Sequence, residues 1–153
     1  MGDLLGARKF RILVIEDNEA DVKLLRLALD GAGLQYDLAV IQDGGEAMEY
    51  VRRHAGGAET DRAPNLIVLD LNVPKNDGLE ILSAMREARV FEHVPVLVLT
   101  SSSSPRERGK LEALGIAKHV RKPLEYDEFM RIGPVVKQVL SGADGLAAEQ
   151  AAR

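Results

Sequence analysis

Four short aliphatic runs, separated by helix-like segments, restrict the fold of this chain more than any other feature. They occupy residues 12–15, 38–41, 66–69 and 94–99. The first, third and fourth are continuously apolar and rich in β-branched residues. Runs of that length offer no polar face to water. They suit the central strands of a parallel sheet that is covered on both sides. A weaker run at 117–120 is expected at the sheet edge.

Between the runs, apolar residues return at helical spacing. Residues 19–32 place Val22, Leu25 and Leu29 on one side, with Asn18 as N-cap and Gly33 as the stop. A shorter helix is expected at 45–54, and another at 79–88 with Ile81, Leu82 and Met85 together. Ser104-Pro105 marks a helix start with proline at the first helical position, and Gly115 closes that helix. The last helix, 125–140, turns Phe129, Ile132, Val136 and Val139 inward, with a kink expected at Gly133-Pro134. Strands alternating with helices imply βαβ units. The expected class is α/β: a doubly wound, five-stranded parallel sheet with five helices. Strand order 2-1-3-4-5 follows by analogy with flavodoxin-like folds.

Composition narrows the function classes. The net charge is −4 and no basic block stands out, so nucleic-acid binding has no electrostatic footprint. There is no cysteine, which excludes a disulfide framework, a zinc-thiolate site and a thiol nucleophile. Tryptophan is absent and aromatics are 4% of the chain, so the core must be aliphatic. The opening residues 1–10 lack the apolar run of a signal peptide, and Gly6 stands where a myristoylation motif after Gly2 needs Ser or Thr. No stretch reaches membrane-spanning length. A cytoplasmic protein with no membrane association is expected. Residues 8–141 form the expected domain and the Ala/Gly-rich 142–153 a flexible tail, with no output domain. The polar segment 55–63 is expected to be a long loop.

In an open α/β sheet, ligands sit at the carboxyl ends of the strands. The first strand ends at Glu16 and Asp17, the third at Asp70 with Leu71-Asn72 after it, the fourth at Thr100 and Ser101. Lys122-Pro123 follows the fifth. Three acids from adjacent strands repel one another unless a cation joins them. Mg²⁺ is the expected cofactor, because it takes a few hard oxygens and keeps some waters. A carboxylate can also act as nucleophile toward phosphorus. Phosphoryl transfer depends mainly on positioning and charge neutralisation, which Lys122, Thr100 and loop N–H groups would supply. Each feature alone has a plainer reading: a helix cap, a strand threonine, a solvated turn. Their order along successive strand ends points to one site.

The segments "ILVIEDN", "LIVLDLNVPKNDGLEIL", "VPVLVLTSSS" and "VRKPL" resemble the receiver domain of two-component response regulators, from about residue 11 to about residue 140. The resemblance implies that Asp70 is the phosphoacceptor. It implies a metal held by Asp17, Asp70, the backbone carbonyl of Asn72, and Glu16 through water. Thr100 would be the switch hydroxyl and Lys122 the phosphoryl-binding ammonium, with Pro123 following a cis peptide bond. His119 stands where the family usually has the Tyr or Phe of the switch. "DLNVPKNDG" and the long loop before it look like single-domain regulators paired with phytochrome-type kinases. The partners implied are a histidine kinase or phosphotransfer protein, and a second copy of the chain through helix 4, strand 5 and helix 5. Two other layouts come near. A haloacid-dehalogenase-like phosphatase also uses a strand-end Asp, but after its first strand and with a second Asp where Asn72 stands. A flavin or nucleotide carrier needs glycines and free N–H groups where this chain has Glu16-Asp17-Asn18-Glu19. A degenerate receiver serving only as a scaffold is a third alternative.

Overall fold

The computed structural model describes residues 8–55, 63–101 and 103–152, the last ten as backbone only. The expected loop at 55–63 and the amino-terminal segment therefore lie largely outside the described residues. Five parallel strands, β1 (Lys9–Ile15), β2 (Gln35–Ile41), β3 (Leu66–Leu69), β4 (Val96–Thr100) and β5 (Lys118–Arg121), lie in the order β2-β1-β3-β4-β5. The helices are α1 (Glu19–Gly31), α2 (Gly44–Ala55), α3 (Gly78–Glu87), α4 (Pro105–Ala113), α5 (Tyr126–Met130) and α6 (Ile132–Ala152). A 3₁₀ turn, Arg89–Phe91, leads out of α3.

Alternation along each strand sorts side chains onto two faces. Leu13, Ile15, Ile67, Leu69, Val96 and Val98 pack under α2, α3 and α4 with Ala47, Val51, Ile81, Met85 and Leu111. Ile12, Val14, Leu66, Val68, Leu97 and Leu99 pack under α1, α5 and α6 with Leu25, Leu29, Phe129, Ile132 and Val136. The sheet is doubly wound because both faces of β1, β3 and β4 are apolar. The edge strands differ: β2 alternates between exposed and partly buried positions, and β5 has no fully buried residue.

β1 begins three residues before its apolar run. It pairs with β2 from Lys9↔Gln35 onward, whereas β3 joins only at Ile12↔Leu66. The last helix is also different from expectation. It breaks at Arg131, between α5 and α6, rather than at Gly133-Pro134. Pro134 falls in the first turn of α6, where a missing N–H costs no helical bond. Gly133 serves packing instead: a Cβ there would lie 2.2 Å from the Ala28 carbonyl oxygen of α1. Residues 142–152, expected as a tail, continue α6 as helical backbone to Ala152. No helix among the described residues is long and apolar enough to cross a membrane.

Candidate functional site

Sheet register brings the two buried acids together. Ile15 is paired with Leu69, so the next residues, Glu16 and Asp70, leave adjacent strand ends side by side. The Asp70 N–H donates to the Ile15 carbonyl at 3.0 Å, and the Glu16 N–H to the Ile41 carbonyl at 2.9 Å. Both residues are 5% exposed. Asp17, the next residue, is exposed at the same edge. One carboxylate oxygen from each of Glu16, Asp17 and Asp70 lies within 4.8 Å of the other two.

Lys122 closes the cluster from the far side. Its backbone N–H is anchored on the Thr100 carbonyl at 2.9 Å. Its ammonium donates to Glu16 Oε1, to Asp21 Oδ2 at 2.8 Å and to Asp70 Oδ2 at 2.9 Å. These contacts use all three of its N–H groups. Burial pushes the Glu16 carboxyl up to about 7, the neighbouring Asp70 adds to the rise, and Lys122 opposes it. Burial pushes Asp70 up as well, but the Asn72 N–H and the Lys122 ammonium outweigh it and hold the carboxyl below its ordinary range. Lys122 is raised: burial works against its charge, and the surrounding carboxylates more than compensate. Asp70 is therefore the ionised acid of the pair, and Glu16 the one that takes a proton near neutrality.

The donor set is oxygen alone, with no His or Cys in the group. Such a set suits a hard divalent cation. Like-charged carboxylates this close are stabilised by one, and Glu16, which burial drives toward protonation, gains most.

Asn72 connects Asp70 to β4. Its backbone N–H donates to Asp70 Oδ1 at 3.0 Å, and its side-chain amide donates to Thr100 Oγ1 at 3.1 Å. Thr100 is fully buried. Ser101 is exposed beyond it, and Ser102 lies outside the described residues. His119 is half-buried on β5 and does not join the acids; its Nε2 meets Ser103 Oγ at 2.9 Å. That bond holds the β4–α4 loop against β5. The Lys122-Pro123 bond corrects an expectation. It is trans, since no cis peptide bond occurs among the described residues. Trans is the intrinsically favoured isomer even before proline, by roughly 0.5–1 kcal/mol.

Asp21 is the site residue that the sequence reading missed. It lies in the first turn of α1, where an acid is commonplace, and Asp17 precedes the helix, so spacing gave no signal of the contact.

A family model described as the response regulator receiver domain matches residues 12–132. The probable methanogenesis regulatory protein FilR2 of Methanothrix harundinacea is 32% identical over 142 residues, 92% of this chain and 90% of that protein. Response regulator Rcp1 of Synechocystis sp. is 38% identical over 91 residues, 60% of this chain and 61% of that protein. The Mn(2+)-bound form of response regulator Rcp1 superposes with a TM-score of 0.73 at 29% identity, covering 84% of this chain and 91% of that one. The phosphorylated cyanobacterial phytochrome response regulator RcpA gives a TM-score of 0.74 at 29% identity, covering 86% and 93%.

Proposed function

Starting from the chain's membership of the response regulator receiver family, we propose that it is a Mg²⁺-dependent switch that accepts a phosphoryl group on Asp70. A receiver is not a classical enzyme, which sets aside the phosphatase reading, and the family sets aside the flavin carrier. One observation carries the proposal. The ionised Asp70 lies 2.9 Å from the Lys122 ammonium, inside a cluster of three carboxylates.

Receiver domains take their phosphoryl group from a histidine kinase. An Asp70 oxygen attacks the phosphorus of a phosphohistidine. The new P–O bond forms as the P–N bond breaks, and the imidazole leaves with the electron pair. Asp70 suits this role because the Asn72 N–H and Lys122 keep it ionised and aimed. A bound Mg²⁺ supplies neutralisation of the developing charge; Asp17, Asp70, the Asn72 carbonyl and Glu16 are the residues to hold it. Lys122 then turns its N–H from Asp70 to a phosphoryl oxygen. The Thr100 hydroxyl, which accepts from the Asn72 amide, turns its O–H to do the same, and the Ser103–His119 contact repacks with the loop. Ser101 lines the approach.

The likeness to RcpA supports a phytochrome-type kinase as the partner. Residues 8–141 form the receiver unit, working in the cytoplasm, and its changed surface is read by protein binding. A homodimer through α4, β5 and the helices after it suits that surface. Leu111 is the buried residue of α4, and Arg106, Arg108, Lys110 and Glu112 are exposed. Phe129 and Val136 belong to the core and leave a charged face for pairing.

The test is intact mass after incubation with phosphoramidate and Mg²⁺. One added phosphoryl group is expected, absent without Mg²⁺. An unmodified wild-type protein under these conditions supports the scaffold reading instead. Sedimentation of the phosphorylated protein checks the dimer.

A further inference from the structure

Lys122 has three carboxylate partners, and the switch reaction claims two of them. Asp70 becomes the ester, and Glu16 belongs to the group of oxygens that converge for a cation. Asp21 is outside that group. It stands on α1 at the third helical position after the Asn18 cap, and its backbone N–H is already taken by Asn18 Oδ1 at 3.2 Å. Its carboxylate is partly buried and lies 2.8 Å from the ammonium.

An acid in the first turn of a helix has a plain role, since it complements the helix dipole. That role does not require it to face Lys122, which comes from the opposite edge of the site, 101 residues away in sequence. Among the described residues, only Glu16, Asp21 and Asp70 accept from this ammonium. When Glu16 and Asp70 engage other groups, a lysine without Asp21 would face the phosphoryl group with no fixed anchor.

We propose that Asp21 is a positioning residue for Lys122, the standing partner that keeps its ammonium beside Asp70 while Glu16 and Asp70 turn to the metal and the phosphoryl group. This inference rests on the reading of Asp70 as phosphoacceptor. Asp21 touches neither metal nor phosphoryl group; it acts through the lysine.

Two measurements test it. The first needs no metal. In chelator, the rate at which an amine-acylating reagent modifies Lys122, read by peptide mass, should rise about five-fold in Asp21→Ala, the scale expected for losing one partly exposed ion pair. Asp21→Glu should restore the slow rate. The second is a double-mutant cycle on beryllofluoride affinity at saturating Mg²⁺. Asp21→Ala should weaken binding about five-fold in the wild-type background and leave it unchanged on Lys122→Met. Alanine is a good helix former, and Asp21→Asn, read the same way, serves if the alanine variant does not fold. An equal loss in both backgrounds, or an unchanged Lys122 acylation rate, overturns the inference while leaving Asp70 as acceptor. A wild-type protein that neither binds beryllofluoride nor gains a phosphoryl group overturns the Asp70 reading and this inference with it.

Discussion

Glu16 makes the metal-free protein sensitive to pH in a way that Mg²⁺ should abolish. Its carboxyl moves from 4.5 to about 7 on folding, chiefly through burial. The folded state holds this proton more tightly than the unfolded chain. Stability from this group is therefore complete below about 4.5 and is lost as pH rises to about 7. At about 1.4 kcal/mol per pH unit, the loss is about 3 kcal/mol. Asp70, held low, loses its contribution only as pH falls through its depressed folded value. Lys122, held high, loses its own only above its ordinary 10.5. Both lie outside the range from pH 5 to 8, and comparison with Glu16→Gln cancels contributions that the two proteins share, the histidines included. Urea unfolding in chelator should show wild type losing about 2–3 kcal/mol more than Glu16→Gln between pH 5 and 8. With saturating Mg²⁺ the two curves should run parallel, because the cation replaces the proton. Parallel curves in chelator would refute the reasoning.

Gly133→Ala should destabilise the fold by about 1–3 kcal/mol in urea unfolding, because its Cβ would lie 2.2 Å from the Ala28 carbonyl oxygen and α6 must shift away from α1. Arg86→Met should cost about 2–4 kcal/mol, read as a lowered midpoint. The Arg86 guanidinium donates to the carbonyls of Phe91, Val94, Leu114 and Gly115, at 2.8–3.3 Å, and ties α3 to the end of α4. His119→Phe removes the Ser103 partner and should speed amide hydrogen exchange in residues 103–107 by several-fold, with exchange in β1 and β3 unchanged.

The central sheet was legible because β1, β3 and β4 are apolar on both faces, and only a doubly wound arrangement buries them. The start of β1 was not, since Lys9 and Arg11 gain their strand geometry from pairing with β2 rather than from burial. Gly133-Pro134 reads locally as a kink. Its glycine answers to the approach of α1, a tertiary fact with no trace in nearby residues. Glu16 and Asp70 could be placed together because parallel strand ends bring their next residues side by side. Asp21 was hidden in an ordinary helical first turn, its partner distant in sequence. The contact of His119 with Ser103 depends on the path of the β4–α4 loop, which spacing alone does not fix.

The most direct measurement is residue-level mapping of the phosphoryl group. An acyl phosphate is cleaved by borohydride, which reduces the acyl carbon to an alcohol and would leave homoserine at position 70. Protein treated with phosphoramidate and Mg²⁺, then reduced and fragmented, should carry homoserine at Asp70 and at no other acid, and Asp70→Asn should carry none. Homoserine at Asp17 or Asp21 in the wild type, 5-hydroxynorvaline (the reduction product of a glutamyl phosphate) at Glu16, or undiminished phosphorylation of Asp70→Asn, would contradict the assignment of Asp70 as the acceptor.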